Sequence, residues 1–124
     1  MVLAIAAMLY SFHVLASQKQ SPKPLQLLSS SDWQNLASND AVLYRGKVEY
    51  QLRCIKCHGP HLEGTYKATS LTDDTWLYGN SYNDIYTSIH QGNGNMKGYG
   101  KKLLNSDIQA ITVFIKTTTD AASN

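Results

Sequence analysis

Two cysteines and a histidine stand in the run Cys54-Ile55-Lys56-Cys57-His58, and they are the residues through which this chain can do chemistry. In a C-x-x-C-H sequence the two thiols can add to the two vinyl groups of one haem, while the adjacent imidazole ligates the iron from the proximal side. The spacing has a mechanical basis. Residues i and i+3 share one face of a helical turn, so both sulfurs reach one porphyrin edge and the next side chain points at the metal. A structural zinc site needs four ligands, commonly two separated pairs, and the chain has 2 cysteines in all. A thioredoxin-like redox pair expects a βαβ setting, and no period-2 apolar run of any length occurs. A pair of inert buried thiols is the bland alternative. Covalent attachment of one haem c is the reading the motif favours.

For the opposite axial position the candidates are His61, His90 and Met96, since Met1 and Met8 fall in an apolar N-terminal run. His61 follows His58 by three residues and so lies on the same side of the ring. His90 ends a short helix, where a cation is favoured and a solvent-facing side chain is expected. Met96 sits between Gln91 and Gly100, a stretch with glycines at 92, 94, 98 and 100, whose backbone can bend closely around a flat ligand. Methionine is normally core filler, but a lone Met in a polar, Gly-rich loop has no core to fill. Met96 is therefore the favoured ligand and His90 the next. A thioether raises the haem potential relative to a second imidazole. With both axial positions filled by protein, no position is left for a substrate, and electron transfer rather than catalysis is expected.

Short helices joined by long loops must position these groups. Asn39 or Asp40 can cap a helix running through Tyr44, Val48 and Leu52 towards Cys54. Ser81, with Asp84 three residues on, opens a second helix that carries Ile85 and Ile89 and stops near Gly92. Ser106-Asp107-Ile108-Gln109 reads as a capping box, and Ile108, Ile111 and Ile115 then mark one helical face with Phe114 beside it. The fold class expected is all-α, wrapped around one covalent haem. A domain of under a hundred residues with so few long elements buries little, so something besides its own side chains should fill its centre.

Composition narrows the alternatives. The 124 residues are 43% hydrophobic and 16% charged, which excludes a disordered chain or a polytopic membrane protein. The net charge of +2 is too mild for an electrostatic nucleic-acid binder, so no nucleic-acid partner is expected. Lys97, Lys101 and Lys102, directly after the candidate ligand, are the only local concentration of positive charge; they are either a docking patch for a redox partner or an ordinary solvated face.

The run Gly46-x-x-x-Tyr50-x-x-x-Cys54-x-x-Cys57-His58-Gly59, the Gly-rich Met96 loop and the C-terminal amphipathic helix resemble the class I cytochromes c. The stretch Leu71-Thr72-Asp73-Asp74-Thr75-Trp76-Leu77-Tyr78-Gly79 is similar, more specifically, to the cytochrome c domains of subunit III of cbb-type haem-copper oxidases. The resemblance covers roughly residues 42–117. It implies that Gly46 and Tyr50 lie where the first helix crosses the last, with Phe114 as aromatic partner. It implies that Trp76 and Tyr78 line the haem, the Trp76 indole N–H reaching a propionate, although ordinary core packing would also account for both. The resemblance implies that a backbone carbonyl shortly before the Leu71 run, where the family usually has Pro, accepts the proximal His N–H; here Thr69 or its neighbour must supply it. Lys97 stands where the family usually has Pro after the ligand Met. The oxidase subunit is similar to two such domains in tandem, and one is present here. A membrane-tethered mono-haem carrier in a respiratory chain is the function implied, with a haem c subunit of a terminal oxidase or nitric oxide reductase complex as the alternative. A haem sensor, with a dissociable Met96, has no attached signalling domain in its favour.

Residues 1–17 are almost wholly apolar and read as an N-terminal membrane anchor or uncleaved signal. The run is short for a span, and no Lys or Arg precedes it as a signal would require. Residues 18–31, with Pro22, Pro24 and Ser29-Ser30-Ser31, read as a linker, and 32–124 as the mono-haem domain. Lys19 and Lys23 would hold the downstream domain in the cytoplasm by the positive-inside rule. Covalent haem c, as in the family resembled, instead implies the periplasmic side of the inner membrane, anchored or soluble according to whether the first segment is retained.

Overall fold

Side-chain caps define where most of the helices begin. The computed structural model describes residues 24–124. The expected anchor at 1–17 lies outside that range, and among the described residues no helix is long and apolar enough to cross a membrane. Helix α1 (Ser30–Ala37) starts on Ser29, whose hydroxyl accepts the Asp32 N–H at 3.2 Å. Helix α2 (Asp40–Arg53) starts on Asn39, which accepts from Ala41 and Val42. The one-turn helix α3 (Ile55–His58) follows directly. Helix α4 (Tyr82–Gln91) opens with the Ser81/Asp84 capping box expected from the sequence. A two-residue antiparallel ladder, β1 (Gly92–Asn93) with β2 (Met96–Lys97), leads to the long C-terminal helix α5 (Asn105–Ala122).

Helix α5 is the spine of the all-α fold. Ile108, Ile111 and Ile115 are buried as its periodicity requires, each contributing roughly 2–3 kcal/mol of apolar burial. It packs against α2, α4 and α1. At the α2–α5 crossing a Cβ on Gly46 would overlap the Ala110 carbonyl and stand 2.8 Å from Phe114 Cβ. Only glycine lets the backbones approach that closely. Tyr50, one turn on, sets its ring 5.5 Å from Phe114. Arg45 Nε donates to the buried carboxylate of Asp107 at 2.7 Å and ties the same two helices.

Two expectations are corrected, the Ser106 capping box and the free linker, and two features of the fold were not anticipated. Tyr44 and Leu52 are exposed, and the buried residues of α2 are Gly46 and Tyr50, because the close crossing rather than the bulkiest side chains chooses the inner face. The Ser106 box does not cap α5; the helix begins at Asn105 after Leu104, with no side-chain cap bond. Its first turn is instead engaged over long range, Asn105 Nδ2 donating to the Pro24 carbonyl and Asp107 holding Arg45. The expected linker at 18–31 is not a free tether over its described part. The Asn83 side chain accepts from the Leu28 N–H and donates to the Leu28 carbonyl, and Ser29–Ser31 form a cap and a helical turn. Finally, α1 begins within this segment; Trp33 is buried against Tyr82 and Tyr86, with its indole N–H on Asn83 Oδ1 at 2.8 Å. That contact, not helical periodicity, fastens α1 to α4.

Candidate haem site

Helix α2 delivers the cysteine motif to its place. Cys54 is both the end of α2 and the start of α3, its N–H on Tyr50 O at 2.8 Å and its carbonyl accepting from Cys57 and His58. Cys54 is buried, Cys57 exposed, and the two are not joined in a disulfide. Burial pushes the Cys54 thiol up to about 11, with Cys57 and Glu49 adding to the rise and Arg53 opposing it. Gly59, at φ 83°, ends the motif turn. The Tyr50 hydroxyl donates to the Gly59 carbonyl at 2.7 Å, so the residue that packs the helix crossing also pins the far end of the motif. Its burial drives the Tyr50 phenol above the usual range.

His58 Nδ1 lies 3.1 Å from the Thr69 carbonyl oxygen. A carbonyl only accepts, so this contact puts the imidazole proton on Nδ1 and leaves the Nε2 lone pair for a metal. The family resemblance implied such an acceptor at Thr69 or its neighbour, and Thr69 supplies it.

Met96 comes from the other side of the chain, on β2, half-buried against the core cluster that includes Cys54. Its loop is tied down. Asn93 Nδ2 donates to Ser88 Oγ at 2.8 Å, and the N–H groups of Tyr99 and Gly100 bond the carbonyls of Ile89 and His90. Gly92 at φ 78° and Gly98 bring β2 back onto the end of α4, where any Cβ would strike backbone. His90 departs from expectation. It is half-buried, its ring 5.8 Å from that of Tyr86 and directly over Gly100, rather than turned to solvent. His61 is exposed. Trp76 is half-buried and packed on the core, while Tyr78 is exposed beside the hairpin tip, where a Cβ on Gly94 would stand 3.5 Å from its hydroxyl. Lys97, Lys101 and Lys102 are all exposed.

Tyr99 was not singled out by the sequence. It packs on the core, its hydroxyl reaches the Arg53 carbonyl at 3.5 Å beside Cys54, and burial together with the nearby Cys54 thiol raises its phenol. It bridges the Met96 loop to the cysteine motif. An aromatic three residues after the candidate ligand was the available signal.

The donor set suits a haem c: two thiols on one helical turn, one imidazole with its tautomer fixed, and a thioether on a Gly-bent loop. Residues 41–115 match the family model for cytochrome C oxidase, cbb3-type, subunit III. The chain belongs to that family. The FixP subunit of the cbb3-type cytochrome c oxidase of Azorhizobium caulinodans is 30% identical over 86 residues, covering 62% of this chain and 29% of that protein. The CcoP subunit of Rhodobacter capsulatus is 28% identical over 88 residues, covering 63% and 30%. The matched region thus spans about 30% of the length of these curated relatives. Among solved structures, cytochrome cL of Methylophaga aminisulfidivorans superposes with a TM-score of 0.63 at 19% identity, covering 82% of this chain and 77% of that one, a likeness of fold. Cytochrome cL of Hyphomicrobium denitrificans gives 0.55 at 28% identity, covering 64% and 47%. This subunit III-type domain is therefore a class I cytochrome c, with haem c as its cofactor and electron transfer as its chemistry.

Proposed function

We propose that the domain is a one-electron carrier of a respiratory chain, with a single haem c attached through Cys54 and Cys57 and held axially by His58 and Met96. The observation that carries this reading is the His58 Nδ1 to Thr69 carbonyl contact at 3.1 Å, within a C-x-x-C-H turn. When bound, the haem supplies an iron that cycles between Fe(II) and Fe(III). The chain's own residues do the rest. Thr69 fixes the tautomer and the ring orientation of His58. The β1–β2 hairpin holds Met96 against the core, and the packing of His90 over Gly100 favours Met96 over the imidazole as sixth ligand. Trp76 and Tyr78 line the ring, the Trp76 indole N–H serving a propionate. Tyr99 keeps the Met96 loop closed on the cysteine turn.

The domain works on the periplasmic side of the inner membrane, tethered through residues 1–17. Its partners are redox proteins, a terminal oxidase complex among them, and the relation to FixP and CcoP favours a second reading in which the chain is itself a haem c subunit of such a complex. Copurification with an oxidase or nitric oxide reductase separates a subunit from a free carrier.

The ligand assignment is tested by Met96→His. The variant should keep a low-spin haem, lose the near-infrared Met–iron charge-transfer band and titrate at a lower potential, since imidazole stabilises Fe(III) better than a thioether does. An unchanged band and potential would remove Met96 and bring His90 forward.

A further inference from the structure

The loop after the cysteine motif closes on itself through Thr65. Helix α3 ends at His58, so its last carbonyls lack partners within the helix. Two consecutive residues take them up. The Gly64 N–H bonds the His58 carbonyl at 2.7 Å, and the Thr65 hydroxyl donates to the Cys57 carbonyl at 2.6 Å. The same hydroxyl accepts the Lys67 N–H at 3.0 Å, and the Thr65 N–H bonds the Ala68 carbonyl at 2.9 Å, forming a tight turn. The residue after that turn is Thr69, whose carbonyl meets His58 Nδ1. Gly64, at φ 83°, allows the closure, because a Cβ there would stand 2.5 Å from the Ser70 nitrogen and 2.8 Å from the Thr69 carbonyl carbon.

We infer that Thr65 is the positioning residue of the proximal imidazole. One side chain fastens the motif turn that carries His58 to the backbone turn that presents the acceptor for its Nδ1. A proline before Leu71 would stiffen the acceptor through its ring; position 69 is Thr, and the Thr65 hydrogen bonds supply the stiffness instead. Its consequence is electronic as well as mechanical. A well-held acceptor on Nδ1 makes the imidazole a stronger electron donor to iron and favours Fe(III), so loosening it should raise the potential.

This inference rests on His58 being the proximal ligand. The test uses the haem-loaded protein and the Thr65→Val and Thr65→Ser variants, followed by the midpoint potential and by proton NMR of the hyperfine-shifted Nδ1–H. Valine keeps the β-branched shape and loses the hydroxyl; it should shift the potential upwards and speed Nδ1–H exchange with solvent. Serine should restore both towards the parent. Parent-like potential and exchange in Thr65→Val would overturn the role of Thr65 while leaving His58 as ligand. Absence of a hyperfine-shifted imidazole N–H in the parent itself would overturn the ligand assignment and this inference with it.

Discussion

Where α2 crosses α5, the chain is held by shape: Gly46 gives up its side chain so that Ala110 can approach, and Tyr50 fills the next step against Phe114. Along the arc 59–81 the chain is held by hydrogen bonds to backbone. There, Gly59 and Leu62 are the buried residues, while Tyr66, Leu77 and Tyr78 stand exposed. The arc is stitched to the rest by Leu71 N–H on Leu62 O, and by the Thr119 hydroxyl on Leu71 O at 2.8 Å. Such a segment buries too little to repay the conformational entropy of ordering it. The contrast separates a part of the fold packed tightly by side chains from a part with little apolar burial of its own.

The largest expected effect falls on the arc. Cys54→Ala together with Cys57→Ala should abolish covalent haem and unfold most of the domain, the arc losing amide protection first. Circular dichroism and hydrogen exchange check both parts. Native helicity and a protected arc without haem would show that side chains suffice, and the contrast would collapse. Next in size is Gly46→Val, which strikes the crossing directly. Overpacking against backbone should cost about 3 kcal/mol, lowering Tm by roughly 12–24 °C, with the haem spectrum of the surviving fold little changed. A Tm equal to the parent's would mean that the helices can slide apart without cost.

The smallest effect is confined to the surface beside the Met96 loop. Changing Lys97, Lys101 and Lys102 to Glu should leave fold, spectrum and potential nearly untouched. Electron transfer to a partner should slow strongly at low salt and weakly at high salt, because opposite charge steers encounter more than it tightens binding. Equal rates at low ionic strength would shift docking to an apolar rim that includes Leu77 and Tyr78.

What could be read from the sequence follows the same division between local and distant forces. Asn39 and Ser81 announce their helices because a cap is a contact over two or three residues. The cysteine motif is legible for that reason too, whereas the acceptor at Thr69 came only from the family resemblance. Helix α1 was hidden because its hold is Trp33 on Asn83, fifty residues away. The start of α5 was misplaced because long-range partners, the Pro24 carbonyl and Arg45, engage Asn105 and Asp107 while the Ser106 box goes unused. The packing of His90 over Gly100 and the bridge made by Tyr99 depend on how the hairpin folds back, which no local pattern encodes.

The central claim is one haem, covalently attached at one turn of helix. Mass spectrometry of the purified protein and of its proteolytic peptides tests it most directly. A single haem mass added to the chain is expected, carried by the peptide that contains Cys54, Cys57 and His58. A chain at its bare polypeptide mass after assembly under conditions that mature other c-type cytochromes, or a haem lost on denaturation, would contradict it.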